Sequence, residues 1–281
     1  MFYINNRVKI VATILAKNEE DIIAKNIEHH INQGVSKFII TDNNSTDKTR
    51  SIIEKYSEVI EIIDEKEEDH NQSKWVTRMA RIACKLNPDW IVHLDADEFW
   101  CGLSELRYTQ EKYIGNTRVF IHPPVGCSFD FLKMRFYLDF ENFKDLPGEC
   151  KIVHRPDPNL VISHGNHGFE NKVKVVYPHK IWRHHYPIRS YNNFVKKAVG
   201  GTKALKNRGA VCERWKKWND LYEQGKLYDV YKKICDNWQD MIENLNKENF
   251  IEIINNWCED NVINYFKEKK ELPKIGEWPN L

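Results

Sequence analysis

Two carboxylates one residue apart, Asp95 and Asp97, end an apolar run that starts at Trp90, and Glu98 follows at once. In an extended chain alternate side chains share a face, so both aspartates can point from a strand end into a cleft. Hard oxygen ligands placed there suit Mg²⁺ or Mn²⁺, with a phosphate completing the shell. The competing reading is an acidic turn after a strand, because short motifs recur by chance. The elements that must position the pair decide between them.

Those elements read as an alternation. Val8–Leu15 is a β-rich apolar run, and Ala16-Lys17-Asn18-Glu19-Glu20-Asp21 is an acidic loop opening a helix. Ile22, Ile23, Ile27 and Ile31 give that helix its apolar side, and Gly34 is placed to end it. A second strand, Lys37–Thr41, runs into Asp42-Asn43-Asn44-Ser45-Thr46-Asp47-Lys48-Thr49, dense in turn and capping residues. The next helix carries Ile52, Ile53 and Tyr56; Val59–Ile63 is a third strand, and Asp64–His70 reads as a solvated loop. Gln72–Leu86 is helical, with Trp75, Met79, Ile82, Ala83 and Leu86 on one side. Asn87-Pro88-Asp89 breaks it, and Trp90–Leu94 is the strand that delivers Asp95 and Asp97.

Strand–helix repeated three times implies an α/β fold, a mostly parallel sheet with helices on both faces. Ligands of such sheets bind beyond the carboxyl ends of the strands. Three polar loops, at Lys17–Glu19, Asp42–Asp47 and Asp95–Asp97, all fall on that rim. No Gly-x-Gly-x-x-Gly follows the first strand and no Gly-x-x-x-x-Gly-Lys-Ser/Thr occurs, which weakens dinucleotide and P-loop readings.

Composition narrows the class. The 281 residues suffice for one large domain with an appendage, and 41% hydrophobic against 30% charged is ordinary for a soluble globular chain. Lys+Arg (42) nearly balance Asp+Glu (41), so no global basic excess argues for nucleic acid. The start lacks a basic-then-apolar signal pattern, and no apolar run approaches the roughly 20 residues that span a bilayer. Seven scattered cysteines without a CxxC pair argue against a disulfide framework and a cysteine-rich zinc site. The compartment expected is the cytoplasm, or a host cytoplasm for a viral chain, with a peripheral membrane location as the variant.

Ala16-Lys17-Asn18-Glu19, then Thr41–Thr49, then Gln72, then Asp95-Ala96-Asp97-Glu98-Phe99 together resemble the family-2-type glycosyltransferases of GT-A fold. The likeness covers the first hundred residues and continues in patches to about Gly201. It implies a GT-A, Rossmann-like catalytic domain over 1–190, with a nucleotide-sugar half at 1–100 and an acceptor side at 101–190, and a helical region at 191–281. It implies that Asp42 contacts the base of a nucleotide-sugar, usually uracil, and that Asn18 and Glu19, after Ala16, lie beside the ribose. Asp95 and Asp97 match the DxD motif that holds Mn²⁺ or Mg²⁺ against the diphosphate. Asn43 and Asn44 depart from the commoner Asp-Gly of the second loop, which leaves UDP against another nucleotide open.

Beyond Phe99 the pattern is less regular. Thr117–His122 is a further strand. The aromatic-rich stretch Val125–Asp145 reads either as a sugar-binding wall or as a hydrophobic flap over the core. Lys151–Pro156 resembles a basic strand-to-turn element of the same enzymes, and His164 and His167 follow in a glycine-bearing turn. His185-Tyr186, with Arg189-Ser190 and Lys197, resembles the family's late segment, in which a histidine supplies a further metal ligand. A histidine-only zinc site competes, but the HxxH spacing lacks the HExxH form. From Tyr191 the pattern is helical, with Trp215, Trp218, Leu221 and Tyr222, then Leu227, Val230, Tyr231, Ile234 and Trp238, and a last amphipathic helix carrying Ile251–Phe266. These helices are available to pack on the core or to mediate self-association. Arg214-Trp215-Lys216-Lys217-Trp218 reads first as a helix with buried Trp and solvated Lys, and second as a surface for anionic membrane or acceptor.

The reaction expected is metal-dependent transfer of a sugar from a nucleotide-diphosphate donor, UDP-linked by preference, to the hydroxyl of an acceptor such as a glycan, with inversion. Asp95, Asp97 and His185 would hold the cation; Lys151, Arg189 and Lys197 would assist at the phosphates, with Asn44 and Gln72 nearby in the donor site. Candidates for the base are Glu170, His167 and Asp130, because the usual Glu-Asp motif is not evident. A nucleotidyltransferase on a similar core and a non-catalytic glycan-binding module are the alternatives.

Overall fold

The fold is described from a computed structural model. The structure describes residues 8–67, 71–116, 118–122, 124, 134, 136–139, 150–177, 180–203, 213–244, 246–248, 250, 268 and 274–277. They fall into two compact units. The first is drawn from Met1–Glu67, Asn71–Arg118 and Glu149–His184, the second from Glu68–His70, Val119–Gly148 and His185–Leu281.

The first unit is the α/β half that the sequence predicts. Its strands are β1 (Ile10–Ala16), β2 (Val35–Asp42), β3 (Ile60–Asp64), β4 (Trp90–Asp95), β6 (Tyr113–Asn116) and β9 (Lys151–His154), in the order β3-β2-β1-β4-β9-β6. Strands β1 to β4 pair parallel, and β9 runs antiparallel to both β4 and β6. Helices α1 (Ile23–Asn32) and α2 (Thr49–Ile53) cover one face, and α3 (Gln72–Lys85) the other. A sheet covered on both faces needs strands apolar on both, which is why β1, β2 and β4 read as continuous runs. Ala12, Ile14, Phe38, Ile40, Val92 and Leu94 pack under α1 and α2, while Val11, Ile39 and Ile91 pack under α3. Gly34, at φ 96°, ends α1 in the left-handed region, where a Cβ is strained.

One element departs from the sequence reading. Glu98–Cys101, the tail of the carboxylate motif, forms a fully buried strand, β5, rather than leading into an irregular region. Helix α1 fastens it with a polar row. Asn26 Nδ2 donates to the carbonyls of Glu98 at 2.8 Å, Ala96 at 3.0 Å and Asp95 at 3.4 Å. His29 Nε2 donates to Trp100 O at 2.7 Å, Trp100 N donates to His30 Nε2 at 3.1 Å, and Gly102 N donates to Gln33 Oε1 at 3.1 Å. Positions 26, 29, 30 and 33 share one helix face. The row thus replaces a strand partner for the backbone that carries the aspartates.

A second polar device lies within the sheet. Thr13 Oγ1 lies 2.7 Å from His93 Nδ1, His93 Nε2 lies 3.0 Å from His154 Nε2, and His154 Nδ1 lies 2.7 Å from Arg155 O. The carbonyl can only accept, so each ring in turn donates one proton and accepts one, and both imidazoles are neutral. All three side chains are buried.

The second unit holds β7 (Val119–Ile121), β8 (Phe136–Asp139) and β11 (Lys274–Glu277), paired antiparallel with β8 central. Strand β10 (Trp182–His185) straddles the boundary between the units. The strand expected at Thr117–His122 is the shorter β7. Helix α4 (Tyr191–Val195) opens on Ser190, whose Oγ accepts from Asn193 N, and continues through a π-turn at Lys196–Gly200. The Gly200-Gly201 pair does not break it. Instead, a Cβ on Gly201 would meet the Trp215 ring at 2.4 Å, so the glycine admits the indole of α5 (Glu213–Glu223). Phe194, Ala198, Trp218, Leu227, Tyr231 and Ile234 make one apolar cluster there with α6 (Leu227–Glu243). The helix expected around Ile251–Phe266 lies outside the described residues, as does most of the aromatic stretch. Among the described residues no helix is long and apolar enough to cross a membrane.

Two stability predictions follow from these polar devices. Asn26→Ala strips one donor from three backbone carbonyls and is expected to cost about 1–3 kcal/mol by urea unfolding. Asn26→Asp, which sets an acceptor against acceptors, should cost more; a midpoint unchanged in both variants contradicts the clamp. Burial lowers the pKa of His30 to about 3, of His154 to about 4 and of His93 well below its ordinary value. These groups are neutral when folded and protonate more readily when unfolded. Their stability is therefore complete above about 6.5 and is lost as pH falls toward the folded values, at up to about 1.4 kcal/mol per pH unit per histidine. A urea midpoint flat between pH 7 and pH 5 contradicts the neutral buried state.

Candidate functional site

The site is built on the carboxyl ends of β2, β1 and β4. Register sets Asp42 opposite Ala16 and Asp95 opposite Leu15, so the two aspartates flank β1 on neighbouring strands. Two strand spacings separate them along the rim, about 10 Å. The three polar loops expected on this edge are therefore brought together.

The loops after β1 and β2 lock each other. Asn18 N donates to Ser45 Oγ at 3.0 Å, and Thr46 N donates to Asn18 Oδ1 at 2.7 Å. Glu19 N donates to Thr49 Oγ1 at 2.7 Å, and Lys48 N donates to Glu20 Oε2 at 3.1 Å. Asn18 and Asn44 take φ of 58° and 54°, which asparagine tolerates better than most residues. Asp42 is buried at the end of β2 and its Oδ1 accepts from Ser45 N at 3.2 Å. Asn43 has a structural reason to be an amide. Its Nδ2 donates to Glu67 O at 2.8 Å while its Oδ1 accepts from Lys17 at 3.4 Å. A carboxylate could not make the first bond.

The segment after β3 corrects the expectation of a fully solvated loop. Glu65 is only 8% exposed, and its carboxylate pairs with Arg78 of α3 at 2.9 Å. Its amide donates to Asp42 O, so it closes the rim beside Asp42.

Asp95 ends β4, with its side chain 30% exposed, and Asp97 sits in the following turn at 8%. Both oxygens of Asp95 are engaged. Lys151 Nζ, 4% exposed as a residue, donates to Oδ2 at 2.5 Å, and Asn166 Nδ2 donates to Oδ1 at 3.0 Å. The same ammonium donates to Gly165 O at 2.6 Å and stands 3.7 Å from Glu98 Oε1. Glu98 in turn accepts from Arg183 Nε at 3.0 Å, and Arg183 Nη1 donates to Asn116 Oδ1 at 2.8 Å. Burial works to lower the Lys151 pKa, but the Asp95 and Glu98 carboxylates outweigh it and hold the ammonium above its ordinary value. Lys151, expected at the phosphates, is thus committed to protein acceptors.

Turn His164–Asn166 is fixed from two sides, by Lys151 on Gly165 O and by Gly165 N donating to Gln72 Oε1 at 3.0 Å. Gln72, expected in the donor site, opens α3 and holds this turn. Of the base candidates, His167 is exposed and its Nδ1 donates to Cys150 O at 2.7 Å, which leaves Nε2 as the basic nitrogen. Glu170 accepts from Ser73 Oγ at 3.2 Å, and Asp130 lies outside the described residues. His185 belongs to the second unit, where its carbonyl accepts from His122 N at 2.8 Å. Arg189 is buried there with its amide on Asn193 Oδ1 at 3.2 Å, and Lys197 lies half-buried in the π-turn.

Asp95 thus meets an ammonium on one oxygen and an amide on the other, and each oxygen keeps a second lone pair. Among the described residues of the first unit no three His, Cys, Asp or Glu side chains group as a metal site. The residues that sequence reasoning passes over are Asn26, His29, His30 and Gln33, whose common helical spacing is the signal that marks them.

Residues 12–138 match the profile of Glycosyl transferase family 2. No curated protein matches the sequence. Among solved structures, Staphylococcus aureus TarS 1-349 in complex with UDP is 12% identical, covering 71% of this chain and 66% of that one, with a TM-score of 0.39. Glucosyl-3-phosphoglycerate synthase from Mycobacterium tuberculosis, with Mn²⁺, UDP and product, is 16% identical over 41% of this chain and 44% of that one, TM-score 0.29. HddC from Yersinia pseudotuberculosis is 12% identical over 66% and 96%, TM-score 0.37. The chain spans just under two thirds of TarS 1-349 and less than half of the mycobacterial enzyme. The matched stretch, 12–138, carries the rim loops, Asp42 and the Asp95-Ala96-Asp97 turn.

Proposed function

We propose that the chain transfers a sugar from a nucleotide-diphosphate donor, UDP-linked, to the hydroxyl of a glycan-type acceptor, with inversion at the anomeric carbon. The observation that carries this reading is the register that sets Asp42 and Asp95 on either side of β1, in a family 2 region. Asp42, with one oxygen steadied by Ser45 N, offers its carboxylate to the imide N–H of uracil. The Asn18–Glu19 loop, its amides fixed by Ser45 and Thr49, lies beside the ribose in this reading. A divalent cation, Mn²⁺ or Mg²⁺, taken by the Asp95-Ala96-Asp97 turn would act as a Lewis acid on the leaving diphosphate.

In this reaction the acceptor oxygen attacks the anomeric carbon as the bond to the diphosphate breaks, and a base takes the hydroxyl proton. His167 is the assignment we make among the candidates. Its Nδ1 donates to Cys150 O, which puts the basic lone pair of the neutral ring on Nε2, and the ring is exposed. Glu170, by contrast, is turned to the Ser73 hydroxyl.

UDP is expected to raise the melting temperature, since saturating ligand at 100 times Kd stabilises the native state by about 2.7 kcal/mol. Asp42→Ala should weaken UDP binding at least tenfold by calorimetry, and undiminished binding would sink the base-recognition role. Asp97→Asn should lower sugar transfer, assayed with a UDP-sugar panel and Mn²⁺, by about two orders of magnitude, in the range seen when charge stabilisation of a transition state is removed. Transfer near the wild-type rate would exclude Asp97 from the donor site.

A further inference from the structure

We propose that the exposed ring of Tyr177 is the platform on which a pyranose of the acceptor lies, beside His167. The inference rests on the transfer reading above and deepens it, by naming the acceptor as a six-membered sugar ring and the residue that seats it. Tyr177 leaves an anchored backbone. Gly115 N donates to Val176 O at 2.8 Å, and Val176 N donates to Tyr113 O at 3.0 Å, so the segment rides on the edge of β6. The Tyr177 ring rests on Gly115, where a Cβ would stand 2.6 Å from ring Cδ1 and nearer still to Cε1. Any other residue at 115 would push the ring away. The tip of the ring is tied as well, because its hydroxyl donates to the Cys150 sulfur. Fixed at foot and tip, Tyr177 still leaves 48% of its surface in solvent.

Cys150 joins this ring to the proposed base. Its sulfur takes the Tyr177 hydroxyl, and its carbonyl accepts from His167 Nδ1 at 2.7 Å. One residue thus sets the positions of an exposed aromatic ring and an exposed imidazole. A pyranose presents a face of C–H groups and a rim of hydroxyls, and it needs an aromatic surface for the first and a polar partner for the second. A sugar stacked on Tyr177 carries its rim toward the side where His167 stands. A lipid chain or a partner helix would instead need a broad contiguous apolar patch. Among the described residues no other aromatic ring contacts Tyr177. The sheet order also separates the platform from the nucleotide. Strands β2 and β6 are four spacings apart in β2-β1-β4-β9-β6, about 19 Å, so a base held at Asp42 does not reach Tyr177. Asp95 of β4 stands midway between them.

The test is saturation-transfer NMR on the full chain with UDP present. The probes, used in turn, are methyl β-glucopyranoside, methyl β-galactopyranoside, methyl α-mannopyranoside and methyl β-N-acetylglucosaminide. At least one is expected to receive saturation, strongest on the C–H protons of one ring face. Tyr177→Ala should weaken that binding at least fivefold, while Tyr177→Phe, which keeps the ring, should hold it within twofold. Where Tyr177→Ala does not fold, Tyr177→Leu takes its place. The bound pyranoside should also shift the His167 Hε1 resonance, assigned by its loss in His167→Gln. The platform is overturned by saturation of none of the probes, by undiminished binding in Tyr177→Ala, by an equal loss in Tyr177→Phe, or by an unmoved His167 signal. Calorimetry with UDP on the same samples separates this inference from the reading beneath it. Wild type that fails to bind UDP overturns the donor site, while wild type that binds UDP and gives any of those results overturns only the role of Tyr177.

Discussion

Burying an ammonium obliges the surrounding chain to supply acceptors, and in this protein that obligation fixes the rim at the end of β4. Lys151 has to find Asp95, Gly165 O and Glu98 within reach. Satisfying it draws together β9, the end of β4, the start of β5 and the turn at His164–Asn166. Arg183 then has to balance Glu98, and it does so with Asn116 of β6 as a further partner. An uncompensated charge at this depth would cost several kcal/mol, so breaking any one of these contacts leaves the others worse off than before. That coupling gives the rim one arrangement rather than several.

A second constraint acts on the backbone. The turn at Ala96–Asp97 lies between two buried strands, and its carbonyls have no sheet partner unless something else provides one. Asn26 provides it from α1, with His29, His30 and Gln33 continuing the row along β5. His30 works there only as a neutral ring, because Trp100 N must find an acceptor at Nε2 while Nδ1 donates to Asn26 O. Burial lowers its pKa to about 3 and thereby keeps it so. The clamp and the ion network grip the same turn from its backbone and from its side chains, which is the support a preorganised site requires.

What could be read from the sequence follows how local the cause is. Strands β1, β2 and β4 announce themselves because a strand covered on both faces is a continuous apolar run. Their order fixes the sheet, and the sheet fixes which loops share a rim, so Asp42 and Asp95 could be placed on one edge without coordinates. The clamp stayed hidden because Asn26, His29 and His30 look like the solvated side of an amphipathic helix. Only the presence of β5, four residues too short to show a period, makes them internal. Glu65 reads as part of a charged loop, yet it is buried because Arg78, thirteen residues on, meets it. The His93–His154 pair spans 61 residues of sequence and has no local mark at all.

Lys151 shows the same limit in its sharpest form. A lysine at the start of a strand near the rim invites a phosphate-binding role, because phosphates need cations and the residue type fits. The type is right and the partner differs. Asp95 lies 56 residues away in sequence, and only the antiparallel return of β9 beside β4 puts the two together. The motif's symmetry on the page, one aspartate on each side of an alanine, suggests equal ligands. Their surroundings are unequal: one carboxylate ends a strand facing an ammonium, the other lies in a turn held by Asn26 through its neighbours' carbonyls. Residue spacing can therefore propose a carboxylate pair, but what each member meets is set by the groups that the fold delivers beside it.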